Sequence, residues 1–408
     1  MKEIFKNKNF MLLWAGLSVS RFGERFLQLV IMWYVIQETG SALALGVTVV
    51  CITVPTLLIG PLAGVVADRV DKKKIIVAMD YSLGALILII AILLLTGNMS
   101  LIVLYMLMIL LAICMAFFNP AANASVPLLV EEEYLSRANS LNQFSGQLSN
   151  IIGPASAGIL LALFNDQYGL LLIAAAIAYI ISATTEIWIK VPSVKEETEG
   201  EKSNFKQDLK EGLQFLFEDR RLFMLVVAGG LIINFFLAPL SIFFTIMSDS
   251  IFNVGSAGLG IINSAIALGA LIGSIFIMLN VLKDRYKTAI AGLVMEGIGL
   301  ILIGSFMNFY ATIIAVFLIG MGTCFAGVGL NTLYQTIIPK QKLGRVLSIV
   351  TVLLTISIPL GTLFGSIIIN YIPMFVTLIG FGIIVTLAGL SLIKVARSDQ
   401  PLAKEAVS

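Results

Sequence analysis

Apolar runs long enough to cross a bilayer recur along almost the whole of this chain, and they constrain its fold more than any single motif does. Crossing the ~30 Å hydrocarbon core takes ~20 helical residues. Runs of that order lie at approximately 10–36, 43–66, 75–97, 99–118, 138–165, 168–189, 222–247, 257–281, 288–307, 309–335, 345–370 and 372–394. Twelve of them leave little of 408 residues for anything else, with 59% of residues apolar and 12% charged. Mean hydropathy is +1.00, far above that of soluble domains. An all-α polytopic membrane protein follows, because each helical span satisfies its own backbone polar groups inside lipid.

The basic residues set the orientation. Of the 26 Lys and Arg, 24 fall in both terminal segments and in the connectors near 67–74, 119–137, 190–221, 282–287 and 336–344. Connectors near 37–42, 98, 166, 248–256, 308 and 371 contain none. The positive-inside rule then gives an even number of spans with both termini cytoplasmic, in a multi-pass protein of the cell membrane, a bacterial inner or plasma membrane. Lys2, Lys6 and Lys8 precede a first span that lacks a small-residue cleavage site, so it reads as a retained helix. The net charge of +2 marks topology and not a nucleic-acid face, so no nucleic-acid partner is expected.

The one long connector divides the chain into an N-terminal six-span half (1–189), a cytoplasmic linker (190–221) and a C-terminal six-span half with a short tail (222–408). Pro192 to Ser203 is polar and reads as flexible, while Phe205, Leu209, Leu213 and Leu216 fall at the spacing of an amphipathic surface helix. An internal repeat supports the division. Phe10-Met11-Leu12 recurs as Phe223-Met224-Leu225, Gly40-Ser41-Ala42 as Gly255-Ser256-Ala257, and Asn119, Asn123 and Pro127 correspond to Asn331, Gln335 and Pro339. Such parallel repeats are built around a pseudo-two-fold axis along the membrane normal.

The two cations outside the connectors, Arg21 and Arg25, lie inside the first span with Glu24 between them and Gln28 one turn on. Their spacing puts all four on one helical face. A charge at mid-membrane costs roughly 3 kcal/mol on insertion scales, so this face is expected to line a polar route. Counted from Phe10 at 1.5 Å per residue, Glu24 lies ~21 Å into the core. The chain contains no histidine, so any proton chemistry must use carboxylates. Glu24, with Arg21 and Arg25, is the first proton-coupling candidate; a structural Arg-Glu-Arg network is the plainer alternative. Glu296, in mid-span 9, is a further candidate, whereas Asp80 and Glu186, near inner helix ends, read as caps or snorkelling groups. Cys51, Cys114 and Cys324 show no metal-type spacing, and no metal or cofactor is expected.

Gly64-Val65-Val66-Ala67-Asp68-Arg69-Val70-Asp71-Lys72-Lys73-Lys74, between spans 2 and 3, resembles the inner-loop motif of the major facilitator superfamily, with Asp71 in place of its second glycine. The resemblance implies a conformational latch of Gly64, Asp68, Arg69, Lys72 and Lys73. Gly64 would allow close helix packing, and Asp68 would accept from a helix N-terminus or an Arg. A positive-inside anchor is the plainer reading. Span 5 contains Ser140, Ser149, Gly153-Pro154 and Ala157-Gly158, and resembles the superfamily's antiporter motif, a hinge or seal whose plain counterpart is small-residue packing.

The same resemblance implies a cavity lined by spans 1, 4, 7 and 10. Its candidates are Gln28, Trp33, Tyr34, Phe117, Asn119, Asn123, Asn234, Phe235, Asn331, Tyr334 and Gln335. Trp14-Ala15-Gly16, Thr39-Gly40-Ser41-Ala42, Asn119-Pro120-Ala121 and Leu343-Gly344-Arg345-Val346 make the chain similar to the macrolide-efflux branch. Members of that branch export macrolides, other drugs, siderophores or lysolipids. The expectation is a monomeric secondary exporter of small amphiphilic organic molecules. Its partners would be that substrate, protons and the lipid bilayer, and it would work by alternating access with proton antiport. A lysophospholipid flippase without obligatory proton coupling is the alternative. No clustered nucleophile or paired acidic motif marks an enzyme.

Overall fold

The helices begin and end where capping chemistry says they should. In the computed structural model, which describes residues 2–190, 205–279 and 284–405, Asn7 caps a helix that starts at Lys8 by accepting from the Phe10 N–H at 3.0 Å. Ser41, Asp71 and Ser100 cap the next three in the same way. After a short α1 (Lys2–Lys6), the first half is α2 (Lys8–Thr39), α3 (Ala42–Arg69), α4 (Lys72–Leu95), α5 (Leu101–Leu129), α6 (Glu132–Leu163) and α7 (Tyr168–Glu186). Then come α8 (Phe205–Glu218), α9 (Arg220–Ile251), α10 (Gly255–Met278), α11 (Arg285–Phe306), α12 (Phe309–Ile337), α13 (Leu343–Ile368) and α14 (Met374–Glu405). No strand occurs among the described residues.

Eleven of these helices contain a stretch apolar enough to cross a membrane. The remaining long helix is α2, and its charges set it apart: every 18-residue stretch of it that is centred on the span includes Glu24 and Arg25 together with Arg21 or Glu38. The twelve spans are therefore present, and several run past the limits that hydropathy set. Span 4, expected to end at 118, continues as helix to Leu129 through Pro120 and Pro127. Polarity rises there, but Ala and Ser keep the backbone helical, and each proline removes only one i→i−4 hydrogen bond. Span 7 also extends, as α9, and is interrupted by π-turns at Val227–Leu231 and Met247–Ile251 and by a turn at Pro239.

The chain packs as two units. One takes in α1 to α7 and the segment Thr245–Ser264; the other contains α8, α9 up to Phe244, and Ala265 onward. This packing boundary departs from the sequence division at Thr245–Ser264, which lies in the C-terminal half of the sequence. There Ser256 Oγ donates to Gly158 O of α6 at 3.2 Å and Ser264 Oγ to Ile151 O at 2.7 Å. The first unit has a core of Phe10, Leu13, Leu17, Ile76, Phe118 and Ala122 with their neighbours. In the second, α11 lies close against α12 and α14 because glycines meet: a Cβ on Gly292 would overlap Ala326, and one on Gly297 would stand 2.7 Å from Gly382 O.

The repeat is visible in the backbone. Gly40 and Gly255 both adopt left-handed conformations, φ +58° and +65°, which glycine alone accepts without strain. Of the linker, Pro192 to Ser203 lies outside the described residues, as does Lys283. Phe205–Glu218 is helical as expected; Leu216 is buried, and Gly212 lies against Ile349 of α13.

Candidate functional site

Arg21, Glu24, Arg25 and Gln28 occupy one side of α2, yet they serve different neighbours. Arg21 Nη1 donates to Asn142 O of α6 at 2.7 Å and lies 3.5 Å from Ser145 Oγ. Arg25 is exposed, and its Nη1 donates to Gln28 Oε1 at 3.3 Å. Its Cβ rests on Gly153, where an added methyl would come within 2.7 Å. Half-buried Glu24 forms no hydrogen bond or ion pair among the described residues. The closed Arg-Glu-Arg network weighed from the sequence is therefore absent, and Arg21 is the cluster member bound to another helix.

Glu24, Arg25 and Gln28 form the polar rim of a cavity of about 220 Å³ between α2, α3 and α5. Met32, Ile52, Met108 and Met115 supply much of the wall. Thr48 and Thr53 also face it, but their hydroxyls donate to Ala44 O and Val49 O within α3, both at 2.9 Å, so they add little polarity. Flexible thioethers suit a site that accepts more than one shape. The volume is below the ~300–1,000 Å³ typical of drug-sized pockets, so it fits part of such a ligand. The sequence reading missed the α3 and α5 contributions. Met108, Leu111, Ala112 and Met115 fall at i, i+3, i+4 and i+7, a helical face that hydropathy alone does not separate from lipid-facing residues.

Other candidates are placed elsewhere. Trp33 is buried, and its Nε1 donates to Asp166 Oδ1 at 3.2 Å, while the Tyr34 ring lies edge-on to Tyr168 at 5.3 Å. Tyr334 is 3% exposed and donates to Leu225 O at 3.3 Å. Trp33 and Tyr334 are held in helix packing, while Tyr34 lines a second cavity with Glu38, Asp166 and Tyr168. Phe117 lies against the Phe10 core. Asn119, Asn123, Asn331 and Gln335 are exposed on α5 and α12. In the second unit Asn234 and Phe235 sit just before the Pro239 turn, and the Phe235 ring is 5.3 Å from Phe364. Glu296 is buried on α11 against Gly322 of α12, its Oε2 without a partner.

Of the expected latch, Gly64 faces open space and does not mediate close packing: a Cβ there would meet nothing within 4 Å. Asp68 is exposed and has no partner among the described residues, while Asp71 caps α4 through the Lys73 N–H at 3.0 Å. In α6, Gly153 receives α2 and Gly158 receives the first turns of α10, where Ser256 and Gly260 approach it. Asp80 and Glu186 are neither caps nor snorkelling groups: both are 0% exposed, enclosed by α2, α4 and α7.

Twelve long helices built as a repeat, with charges on α2 at the rim of a cavity, have the construction of a secondary transporter. The profile of the transmembrane secretion effector family matches residues 3–405, and the chain belongs to that family of major facilitator transporters. It is 26% identical to macrolide efflux protein A of Streptococcus pyogenes over 360 residues, 88% of each chain. It is also 26% identical to the staphyloferrin A transporter of Staphylococcus aureus (strain NCTC 8325 / PS 47), over 90% of this chain and 89% of that one. Among solved structures, the nucleoside transporter NupG has the same fold, with a TM-score of 0.70 at 11% identity, covering 95% of this chain and 98% of that one.

Proposed function

We propose that the protein is a proton-coupled exporter of amphiphilic organic molecules, resident in a bacterial cell membrane with both termini in the cytoplasm. The observation that carries this reading is the cavity of α2, α3 and α5, whose walls are apolar and methionine-rich and whose rim is Glu24, Arg25 and Gln28. An apolar wall binds the hydrophobic part of a ligand, and a few placed polar groups orient its head. Two relatives are named for macrolide efflux and staphyloferrin A transport. Glu24 forms no hydrogen bond or ion pair among the described residues, which leaves its carboxylate open to a cationic head. The distribution of Lys and Arg supports the orientation.

The test is transport in proteoliposomes carrying the full chain. Erythromycin and ethidium should move against a gradient when a pH difference is imposed and stop when it is collapsed. Movement of lysophospholipid with no response to either drug would replace this reading with the flippase. Failure to move any of the three would overturn it.

A further inference from the structure

A second polar site lies in the first unit, apart from the cavity. The side of α2 that faces α4 and α7 presents Gly16, Ser20 and Gly23, and each receives a polar side chain. Ser20 Oγ lies 3.1 and 3.0 Å from the two carboxylate oxygens of Asp80 on α4. The space left by Gly16 is taken by Glu186 Oε1 of α7, and a Cβ there would stand 3.1 Å from Ser182 Oγ. Gly23 receives the ring of Tyr179, whose hydroxyl donates to Ser20 O at 2.8 Å. Among the described residues, both oxygens of Glu186, and Ser182 Oγ, are buried without a hydrogen-bond partner.

Neither carboxylate has a cation in reach among the described residues. Arg21, next to Ser20, turns away to Asn142 on α6, and Glu24 faces the cavity. On α4, Lys72, Lys73 and Lys74 lie in the first turn, six or more residues from Asp80, and Tyr81 pairs with Thr184 of α7. From α5, which also packs on α4, no charged residue is available; its Tyr105 hydroxyl is bonded to Ala44 O, and Cys114 is its other titratable group. Tyr179 is the remaining titratable neighbour, and its hydroxyl is committed to Ser20.

Two carboxylates confined together without a cation cannot both be ionised: burial costs several kcal/mol per ion, and like charges sharing a site oppose each other. One proton removes the repulsion, leaves one buried charge in place of two, and supplies a donor that the unpartnered oxygens lack. We propose that Asp80 and Glu186 form a proton-binding site holding one exchangeable proton between them. Release, as the pair meets water, hands that proton to solvent and leaves both carboxylates ionised; uptake reverses the step. Glu186 is the last residue of α7, where the span ends, so a short shift at that end connects the pair with the aqueous boundary. The proposal deepens the exporter reading by assigning the coupled proton to this pair, and its role in transport rests on that reading.

Infrared spectra of the full chain in lipid nanodiscs, recorded at neutral pH in H₂O and D₂O, test the site directly. A protonated-carboxyl C=O band should be present, should shrink in both Asp80→Asn and Glu186→Gln, and should persist in Glu24→Gln. Ser20→Ala, which removes a donor without touching a charge, should shift the band and guards against misfolded carboxylate variants. A band unchanged in Asp80→Asn, Glu186→Gln and Ser20→Ala overturns the proposal. In proteoliposomes, Glu186→Gln should lose pH-driven ethidium accumulation while keeping downhill ethidium exchange. Unchanged pH-driven accumulation would remove the pair from coupling and leave the exporter reading standing. A wild type that moves ethidium without any pH response, yet shows the band and its loss, would keep the site and overturn proton coupling.

Discussion

Gly16 of α2 and Glu186 of α7 share one volume: the side chain that the first lacks is the space that Oε1 of the second fills. The two lie far apart in the chain, so helix packing alone brings them together.

Gly16→Ala should therefore destabilise the protein by about 1–3 kcal/mol, the usual range for an overpacked site. Gly64→Ala, in open space, should be neutral or slightly stabilising, because alanine favours helix by up to ~1 kcal/mol over glycine. Thermal unfolding of the purified variants checks both. Equal losses in the two would show that Gly16 is not filled by Glu186.

Ile52→Trp places a large ring in the α2–α3–α5 cavity. Ethidium or erythromycin efflux should fall severalfold at unchanged expression, as measured by accumulation in cells. The same substitution at exposed Ile102 should leave efflux intact. Equal efflux in the two variants would show that the cavity is not on the substrate route.

Trp33→Phe removes the bond to Asp166, and its effect should be on stability. Loss of a hydrogen bond to a charged acceptor costs about 1.5 kcal/mol, while substrate preference should stay as in the wild type. A changed drug profile with unaltered unfolding temperature would return Trp33 to the list of substrate contacts.

Asp219 caps α9 by accepting from the Arg221 and Leu222 N–H groups at 2.9 and 3.2 Å, and pairs with the Arg221 guanidinium at 3.2 Å. Burial alone would raise its carboxyl, but the Arg221 side chain and those N–H groups outweigh it and hold it below the usual carboxylate range. A depressed carboxyl contributes stability that is fully present above the unfolded value of about 4 and is lost as pH falls through the folded one. Asp219→Ala should cost about 1 kcal/mol at neutral pH, and the difference from wild type should narrow below about pH 4. A difference that stays constant across that range would remove the charge from the cap.

How far the sequence could reach varied with the physics of each feature. The spans and the repeat were legible because hydropathy, basic residues and left-handed glycines act locally: Gly40 and Gly255 need only their own φ. Helix ends were less legible, since hydropathy marks where lipid stops and not where the backbone unwinds; α5 passes Asn119 and Pro120 without a break. Glu24 stood out by its cost in lipid. Asp80 and Glu186 did not, because what matters about them is the face of α2 they meet, and nothing near position 80 or 186 encodes Gly16 or Ser20. The partners of Trp33 and Tyr334 were hidden for the same reason, since an aromatic in a span looks alike whether it faces a cavity or a polar group elsewhere in the bundle.

The Gly-Ser-Ala repeat shows what duplication preserves. Ser41 caps its own helix by accepting from the Ala44 N–H at 3.3 Å, whereas Ser256 gives its hydroxyl to Gly158 O. The glycine kept its backbone geometry in both copies, and the serine changed partners. A chain rebuilt from two copies of the first half would therefore keep both outer turns. What it would lose is the fit of α10 to α6, because Ser256 makes that contact and Ser41 does not.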